Sequence, residues 1–461
     1  MSTPSVPSEP THVVGICGGA VAGSEAAARV VEHGGVAVVF EQNPRPYGKI
    51  EDGLPRWHVR LRQQEYARID DNLARPGVLF VPNTRLGRDL SFEELTEAYG
   101  LSAVILATGA WRDRPLPVPG VEAYEGRGLI YQNPLVYWFN HYPERGYQGP
   151  RFEVHDGAIV VGGGLASIDV VKIINFELYG RALRDRGIEV DVETFETKGI
   201  PRVLQDHGLD PETLGVRGCT LYYRRRKQDM PLATADAPTP EQLAKLEVAR
   251  AKIMDKVSRK YLVHFEERCM PVAPIDEGGR LGGLVFRRTE VREGRVFPVE
   301  GSDFEVRAPM VVSSIGSVPE PLSGVPMKGE LYDYANWDTG EVRGYEGVFG
   351  LGNVLTGRGN IKESRKSAHE VTMHILETFL GLREGAAAVD GMVRAVHAEV
   401  AQQTEAMVRE ATRHRDPLPP ERVATIFHRI QQRWDAVGYH GDYREWIAHA
   451  RREVSGASAD T

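Results

Sequence analysis

The sequence predicts an α/β chain in which two strand–glycine turn–helix–strand units are followed by helices. Three observations carry this. Apolar runs of strand length stop twice at glycine clusters, Gly18-Gly19-Ala20-Val21-Ala22-Gly23 and Gly162-Gly163-Gly164. Each cluster opens a stretch of helix formers and then a second apolar run. Beyond Gly385 the composition is helical to the end, broken at Pro417-Leu418-Pro419-Pro420.

The elements follow in order. Met1 to Pro10 holds three prolines and no apolar run, so residues 1–11 read as a disordered tail and not as a signal peptide. His12 to Cys17 is a short strand, Ser24 to Glu32 an alanine-rich helix, and Val36 to Phe40 a buried strand ending at Glu41. This is the pattern of a dinucleotide-binding βαβ unit, a Rossmann-like fold. Gly18 makes the turn and Gly23 lets helix and strand pack closely. Gly19 lies between them, and Ala20 stands where the motif's second glycine would be, so the match is imperfect. Glu41 lies where an acid accepts hydrogen bonds from ribose hydroxyls and repels a 2′-phosphate, which suits FAD or NAD over NADP. Val104 to Ala107 is another buried strand, stopped by Thr108-Gly109.

The second unit has a strand at Ala158 to Val161, the turn Gly162 to Gly164, and a helix at Ala166 to Phe176, with Leu165 just before it and Ser167 in its first turn as further cofactor-binding candidates. After a polar insertion at about 180–217, the strand Cys219 to Tyr223 ends in Arg224, Arg225 and Arg226 instead of an acid. Guanidinium forks at that position match a 2′-phosphate, so this unit takes NADP(H). A solvated basic run is the plainer alternative. Glu241 to Tyr261 reads as a helix, 262–307 as a meander, and Met310 to Gly316 as a buried strand. Gly347 to Asn353 is a strand running into a glycine turn, followed by the helix-like Ser364 to Phe379. The Thr108-Gly109 and Gly352-Asn353 turns each return the chain to the first unit, and Gly359, Asn360 and Ile361 follow the second of them. The expected domains are thus 12–145 with 317–384 for FAD, 146–316 for NADP, and a helical extension over 385–461.

Composition excludes other classes. The 461 residues carry 56 basic and 64 acidic side chains, a net charge of −8 that argues against general nucleic-acid binding. Three cysteines, Cys17, Cys219 and Cys269, form no CxxC pair and are too few for a four-cysteine iron–sulfur cluster. No apolar run approaches the roughly 20 residues of a membrane span, and no metal site is expected. A cytoplasmic protein that borrows its redox chemistry from cofactors fits these features.

Taken together, the chain resembles the adrenodoxin-reductase type of ferredoxin–NADP reductase, with kinship to the glutamate synthase small subunit, over roughly residues 12–380. Pro46-Tyr47-Gly48 with Gly53-Leu54 and His58 resembles the family's flavin-side segment, and Tyr137 to Asn140 with Pro143 an aromatic-Asn-Pro stretch before the second glycine motif. Gly164 to Asp169 matches the NADP turn, and Tyr223-Arg224-Arg225 with Met230-Pro231 lies closer to the glutamate synthase side. Asn353 departs from both branches, where an aspartate or a tryptophan is usual, and there is no cysteine-rich N-terminal cluster domain. The resemblance implies FAD, NADPH and an external acceptor: a ferredoxin-like or other iron–sulfur or flavin electron-transfer protein, or the partner subunit of a larger complex. A non-catalytic nucleotide-binding scaffold is the alternative from another class.

His58 and Asp169 are the catalytic candidates, with a surface histidine and helix-terminus charge stabilisation as their plainer roles. Two basic sets could dock an acidic acceptor: Arg56, Arg60 and Arg62, and Arg358, Lys362, Arg365 and Lys366. Val393, Val396, Val400, Met407 and Val408 fall near helical spacing in the extension. They would pack on the chain itself or form a homodimer or partner contact.

Overall fold

The computed structural model describes residues 6–235, 238–357, 359–382 and 414–455. They form two compact units, one of Met1–Glu51, Arg60–Arg112 and Ser317–Thr461, the other of Asp52–Val59 and Asp113–Gly316. The first unit begins with β1 (Val13–Cys17), α1 (Val21–Glu32) and β2 (Val36–Phe40). It continues through α2 (Val59–Leu73), β3 (Val78–Val81) and β4 (Ala103–Leu106). Strand β1 lies parallel between β2 and β4, with Gly15 opposite Val38 and Val104. Every residue of β1, β2 and β4 is buried, as in a parallel sheet covered on both faces. Thr11, expected in the disordered tail, exchanges two backbone hydrogen bonds with Leu418, 3.0 and 2.9 Å, and is anchored there.

The second unit contains β5 (Leu129–Tyr131), α3 (Gln132–His141), β6 (Ile159–Gly162), α4 (Leu165–Arg184) and β7 (Thr220–Tyr223). It adds α5 (Pro240–Tyr261), β8 (His264–Glu267) and β9 (Val311–Ser314). Its parallel sheet has the order β5-β9-β6-β7-β8. Helix α5 starts at a capping box in which Thr239 and Gln242 satisfy each other's backbone N–H groups, with Pro240 at the first position. The polar insertion contains two short helices, Val192–Lys198 and Ile200–Asp206, and the expected meander is antiparallel.

The boundary expected after residue 145 lies elsewhere. Residues 113–145 belong to the second unit, because β5 completes its sheet with Leu129 opposite Val311. Residues 52–59 join it too, latched to α3. The Asn140 Oδ1 accepts from the Arg56 backbone N–H at 2.9 Å, and its amide donates to the Leu54 carbonyl at 3.0 Å. Trp57 wedges between Phe139 and Phe176, ring centroids 5.3 and 5.2 Å away.

The chain then returns to the first unit through β10 (Tyr334–Asn336), β11 (Glu341–Val342), β12 (Val348–Gly350) and α6 (Ile361–His374). Strand β12 lies parallel to β4, which completes a seven-stranded sheet ordered β10-β11-β12-β4-β1-β2-β3. The extension supplies α7 (Pro420–Val437) and α8 (Tyr443–Ser455). Val423, Ile426, Ile430 and Trp434 repeat at helical spacing and bury one face of α7 in the core of the first unit. The stripe from Val393 to Val408 lies outside the described residues. Among the described residues no helix is long and apolar enough to cross a membrane.

Candidate functional site

The first glycine turn is built by close backbone approach. Gly18 has φ +101°, and a Cβ there would lie 2.6 Å from the Ala107 carbonyl oxygen. A Cβ on Gly23 would lie 1.8 Å from the Gly18 carbonyl oxygen, so α1 packs on β1 only because that residue is glycine. Ala20 is the N-cap of α1 and no side chain caps the helix, which leaves first-turn N–H groups for an anion. Glu41 is buried; its Oε2 accepts from the Gly19 N–H at 2.8 Å and its Oε1 from the Asn43 N–H at 2.9 Å. The carboxylate therefore stands directly behind the turn.

Two further segments meet this turn. Gly48, φ +49°, approaches Ala20 so that a Cβ would be 2.9 Å from the alanine methyl. Gly352, φ +72°, approaches α1 in the same way, a Cβ there lying 2.7 Å from that of Ala22, and donates its N–H to Ser367 Oγ at 3.0 Å. Next to it, Asn353 Oδ1 is buried with no hydrogen-bond partner among the described residues, a lone acceptor beside the turn that asks for a donor. Thr108 and Gly109 follow β4, half-buried. Gly359 precedes Asn360, whose Oδ1 caps α6 by accepting from Glu363 N–H at 2.8 Å, and Ile361 is the helix's first residue.

In the second unit, Gly162 and Gly163 leave no room for side chains. A Cβ on the first would lie 2.5 Å from the Ser314 carbonyl oxygen, and one on the second 2.1 Å from the Tyr223 ring. Gly164 is the N-cap of α4, again with no side-chain cap, and the space around its missing Cβ is open. Leu165 is 55% exposed, whereas Ser167 is buried and donates to the Gly164 carbonyl at 2.6 Å. At the end of β7, Arg224 is exposed and Arg225 half-buried. Among the described residues neither guanidinium is held by a carboxylate. Arg226 differs: it is committed to Asp229 at 2.7 Å and to Glu247 at 3.4 Å.

Asp169, on the first turns of α4, is pushed up to about 7 by burial, with Lys172 opposing and Glu196 adding to the shift. Lys172 Nζ lies 3.9 Å from Asp169 and 3.1 Å from Glu196, and 5.4 Å from the centre of the Trp57 ring. Trp57 is 5% exposed, and its Nε1 has no hydrogen-bond partner among the described residues. Sequence reasoning did not reach Trp57, Lys172 or Glu196; the one signal was Trp57 standing next to His58. His58 itself is half-buried in the second unit, its N–H on the Pro55 carbonyl at 3.0 Å.

The basic sets are also redistributed. Arg56 leaves its set, because its guanidinium lies over the rings of Phe139 and Tyr142 at 4.1 and 4.7 Å and donates to the Phe139 carbonyl. Arg60 and Arg62 sit on α2, and Lys362, Arg365 and Lys366 on α6. Arg365 pairs with Glu65 at 2.5 Å, which brings the two helices together. Arg358 lies outside the described residues. Among the described residues no group of three or more His, Cys, Asp or Glu is arranged to hold a metal ion.

Comparisons with known proteins bear on this arrangement. The chain is 25% identical over 357 residues to NADPH:adrenodoxin oxidoreductase of Arabidopsis thaliana, covering 70% of this chain and 71% of the relative. It is 24% identical over 385 residues to the glutamate synthase [NADPH] small chain of Mycobacterium tuberculosis, covering 79% and 67%. The chain is thus similar in sequence to the adrenodoxin-reductase type of NADPH oxidoreductase. Its fold matches that of Mycobacterium tuberculosis FprA, solved in complex with NADPH, with a TM-score of 0.61 at 19% identity over 91% of this chain and 99% of FprA. No protein-family profile matches the chain.

Proposed function

We propose that the chain is an NADPH-dependent flavoprotein reductase that passes electrons to a ferredoxin-like protein. The observation that carries this is the contrast between the two glycine turns: a buried acid, Glu41, behind the first, and two arginines, Arg224 and Arg225, beside the second. Both turns open helices that no side chain caps, so both suit a pyrophosphate. Their opposite charges suit different riboses, one with open hydroxyls and one with a 2′-phosphate.

The residues of the first turn fit FAD. Gly18, Gly19, Ala20 and Gly23 would carry its pyrophosphate, Glu41 a ribose, and the lone Asn353 Oδ1 would accept from a ligand hydroxyl, with Gly48, Thr108, Gly109 and Gly352 closing the cradle. When bound, the flavin supplies the change from two-electron hydride chemistry to single-electron delivery. Gly162, Gly164, Leu165 and Ser167 would admit NADPH, with Arg224 and Arg225 on its 2′-phosphate. Arg226, turned to Asp229, braces the loop instead. Asp169 holds or releases a proton near neutral pH and is assigned to the nicotinamide side. His58 is assigned to proton exchange.

A second reading, an electron-input subunit of a larger complex, is supported by the similarity to the glutamate synthase small chain. Acceptor reduction by the isolated chain would decide against it. The test of the main reading is stopped-flow reduction by NADPH and NADH in the protein and in Arg224→Ala/Arg225→Ala. Hydrogen bonds to charged groups contribute about 1.5–3 kcal/mol each. The double variant should therefore lose at least about a hundredfold in NADPH preference and keep its NADH rate. Unchanged preference would overturn the assignment of the second turn. A protein that takes up no FAD would overturn that of the first and favour the scaffold.

A further inference from the structure

The extension is not an appendage. Helix α8 grips the loop that covers the first glycine turn. Trp446 Nε1 donates to the Pro44 carbonyl at 2.8 Å. Arg451 donates to the Tyr47 hydroxyl at 2.6 Å and to Asp70 Oδ2 at 2.6 Å. Tyr443 and Tyr47 both donate to Asp70 Oδ1, at 2.7 and 3.0 Å. Tyr47 is 1% exposed and stacks on Tyr66 with ring centroids 4.0 Å apart. Burial and the Asp70 carboxylate push its phenol up, so it keeps the proton it donates. The gripped loop is the one that meets the turn: a Cβ on Gly19 would lie 3.0 Å from that of Pro46, and one on Gly48 2.9 Å from that of Ala20.

We propose that α8 is a strap that holds the Pro44–Gly48 loop against the first glycine turn and thereby sets how tightly that turn keeps its dinucleotide. Trp446, Tyr443 and Arg451 are positioning residues, because they act through the loop and not on the ligand. None of the three belongs to the turn itself. A buried tyrosine pinned by a carboxylate and a guanidinium has one orientation. The backbone of Pro46 to Gly48 is fixed with it, so the loop need not be ordered when ligand arrives. The proposal rests on the assignment of FAD to this unit.

The test follows FAD release from the purified holoprotein on dilution, by flavin fluorescence, in the protein and in Trp446→Phe, Arg451→Gln and Arg451→Lys. Trp446→Phe keeps an aromatic ring and removes the N–H donor. The expected result is an FAD dissociation constant raised about tenfold in Trp446→Phe and Arg451→Gln. Arg451→Lys should recover part of the loss, with circular dichroism and the affinity for NADP⁺ unchanged throughout. Folded variants that hold FAD as the parent does would overturn the strap and leave the flavin assignment standing. A parent protein that takes up no FAD would overturn both. Variants that lose NADP⁺ affinity along with FAD would make α8 a general stability element and overturn the strap.

Discussion

Raising the pH from 6 to 9.5 should unlatch residues 52–59 from α3, and His141 sets the size of the effect. Its ring is buried between two carboxylates, with Nε2 2.9 Å from Asp52 Oδ1 and Nδ1 2.9 Å from Glu144 Oε1. Both contacts are donations only when the ring is doubly protonated. Burial opposes that charge, but the hydrogen bonds to Asp52 and Glu144 outweigh it and raise the ring from 6.5 to about 9. The folded value lies above the unfolded one, so the stabilisation is complete below about 6.5, shrinks above it, and is lost past about 9. Each tenfold gain in proton affinity is worth about 1.4 kcal/mol, so the loss is about 3 kcal/mol, or on the order of a hundredfold in the local opening equilibrium. Hydrogen exchange of residues 52–59 and 132–141, corrected for intrinsic rates, measures that opening in the protein and in His141→Gln. The parent should lose its protection over the variant as the pH rises through this window. Parallel pH dependences in the two proteins would refute the clamp.

Three other predictions address the second glycine turn, the cysteines and the acceptor surface. Gly163→Ala places a methyl 2.1 Å from the Tyr223 ring; overpacking of this kind costs about 1–3 kcal/mol. Titration should show weakened NADP⁺ binding with FAD content unchanged, and equal loss of both would point to global damage. Burial pushes the Cys17 thiol up to about 12 and also raises Cys219 and Cys269. A thiol-reactive disulfide reagent at pH 8 should therefore label none of the three until denaturant is added, and rapid labelling of the native protein would contradict their burial. If Arg60, Arg62, Lys362 and Lys366 dock an acidic acceptor, raising the salt from 0.05 to 0.5 M should slow acceptor reduction about tenfold or more. Salt-insensitive turnover would remove that surface from consideration.

The sequence made the glycine turns legible because each glycine answers a backbone demand that no other residue meets. Gly18 needs a positive φ, and Gly23 and Gly163 sit where a Cβ would overlap a carbonyl or a ring. Glu41 was legible for a related reason, since a strand end fixes where a side chain can reach. The unit boundary was not. Strand β5 is three residues long and pairs with residues 311–313, too short for a period and too distant for a local signal. The crossing of residues 52–59 rests on Asn140 and His141, two polar residues on one helix, and nothing local marks polar side chains as latches. Cations show the same limit. Arg224, Arg225 and Arg226 are equivalent as letters, yet the third is taken by an aspartate three residues on, while Arg56 folds onto rings more than 80 residues away.

That difference between backbone and side-chain information explains why the site divides as it does. On the proposed reading, the parts of both turns that would hold an anion are backbone N–H groups at uncapped helix starts, which the two units share and by which neither would discriminate. Discrimination would then fall to a few side chains at strand ends, a buried acid in one unit and, in the other, two arginines that no carboxylate among the described residues holds. By contrast α5 and α6, which neither glycine turn opens, are capped by Thr239 and Asn360. A side-chain oxygen at Ala20 or Gly164 would occupy the same N–H groups that a pyrophosphate needs. Ala20→Ser and Gly164→Ser should therefore stabilise their helices and weaken dinucleotide binding at the same time. Tighter binding in either variant would show that the helix starts do not hold the phosphates.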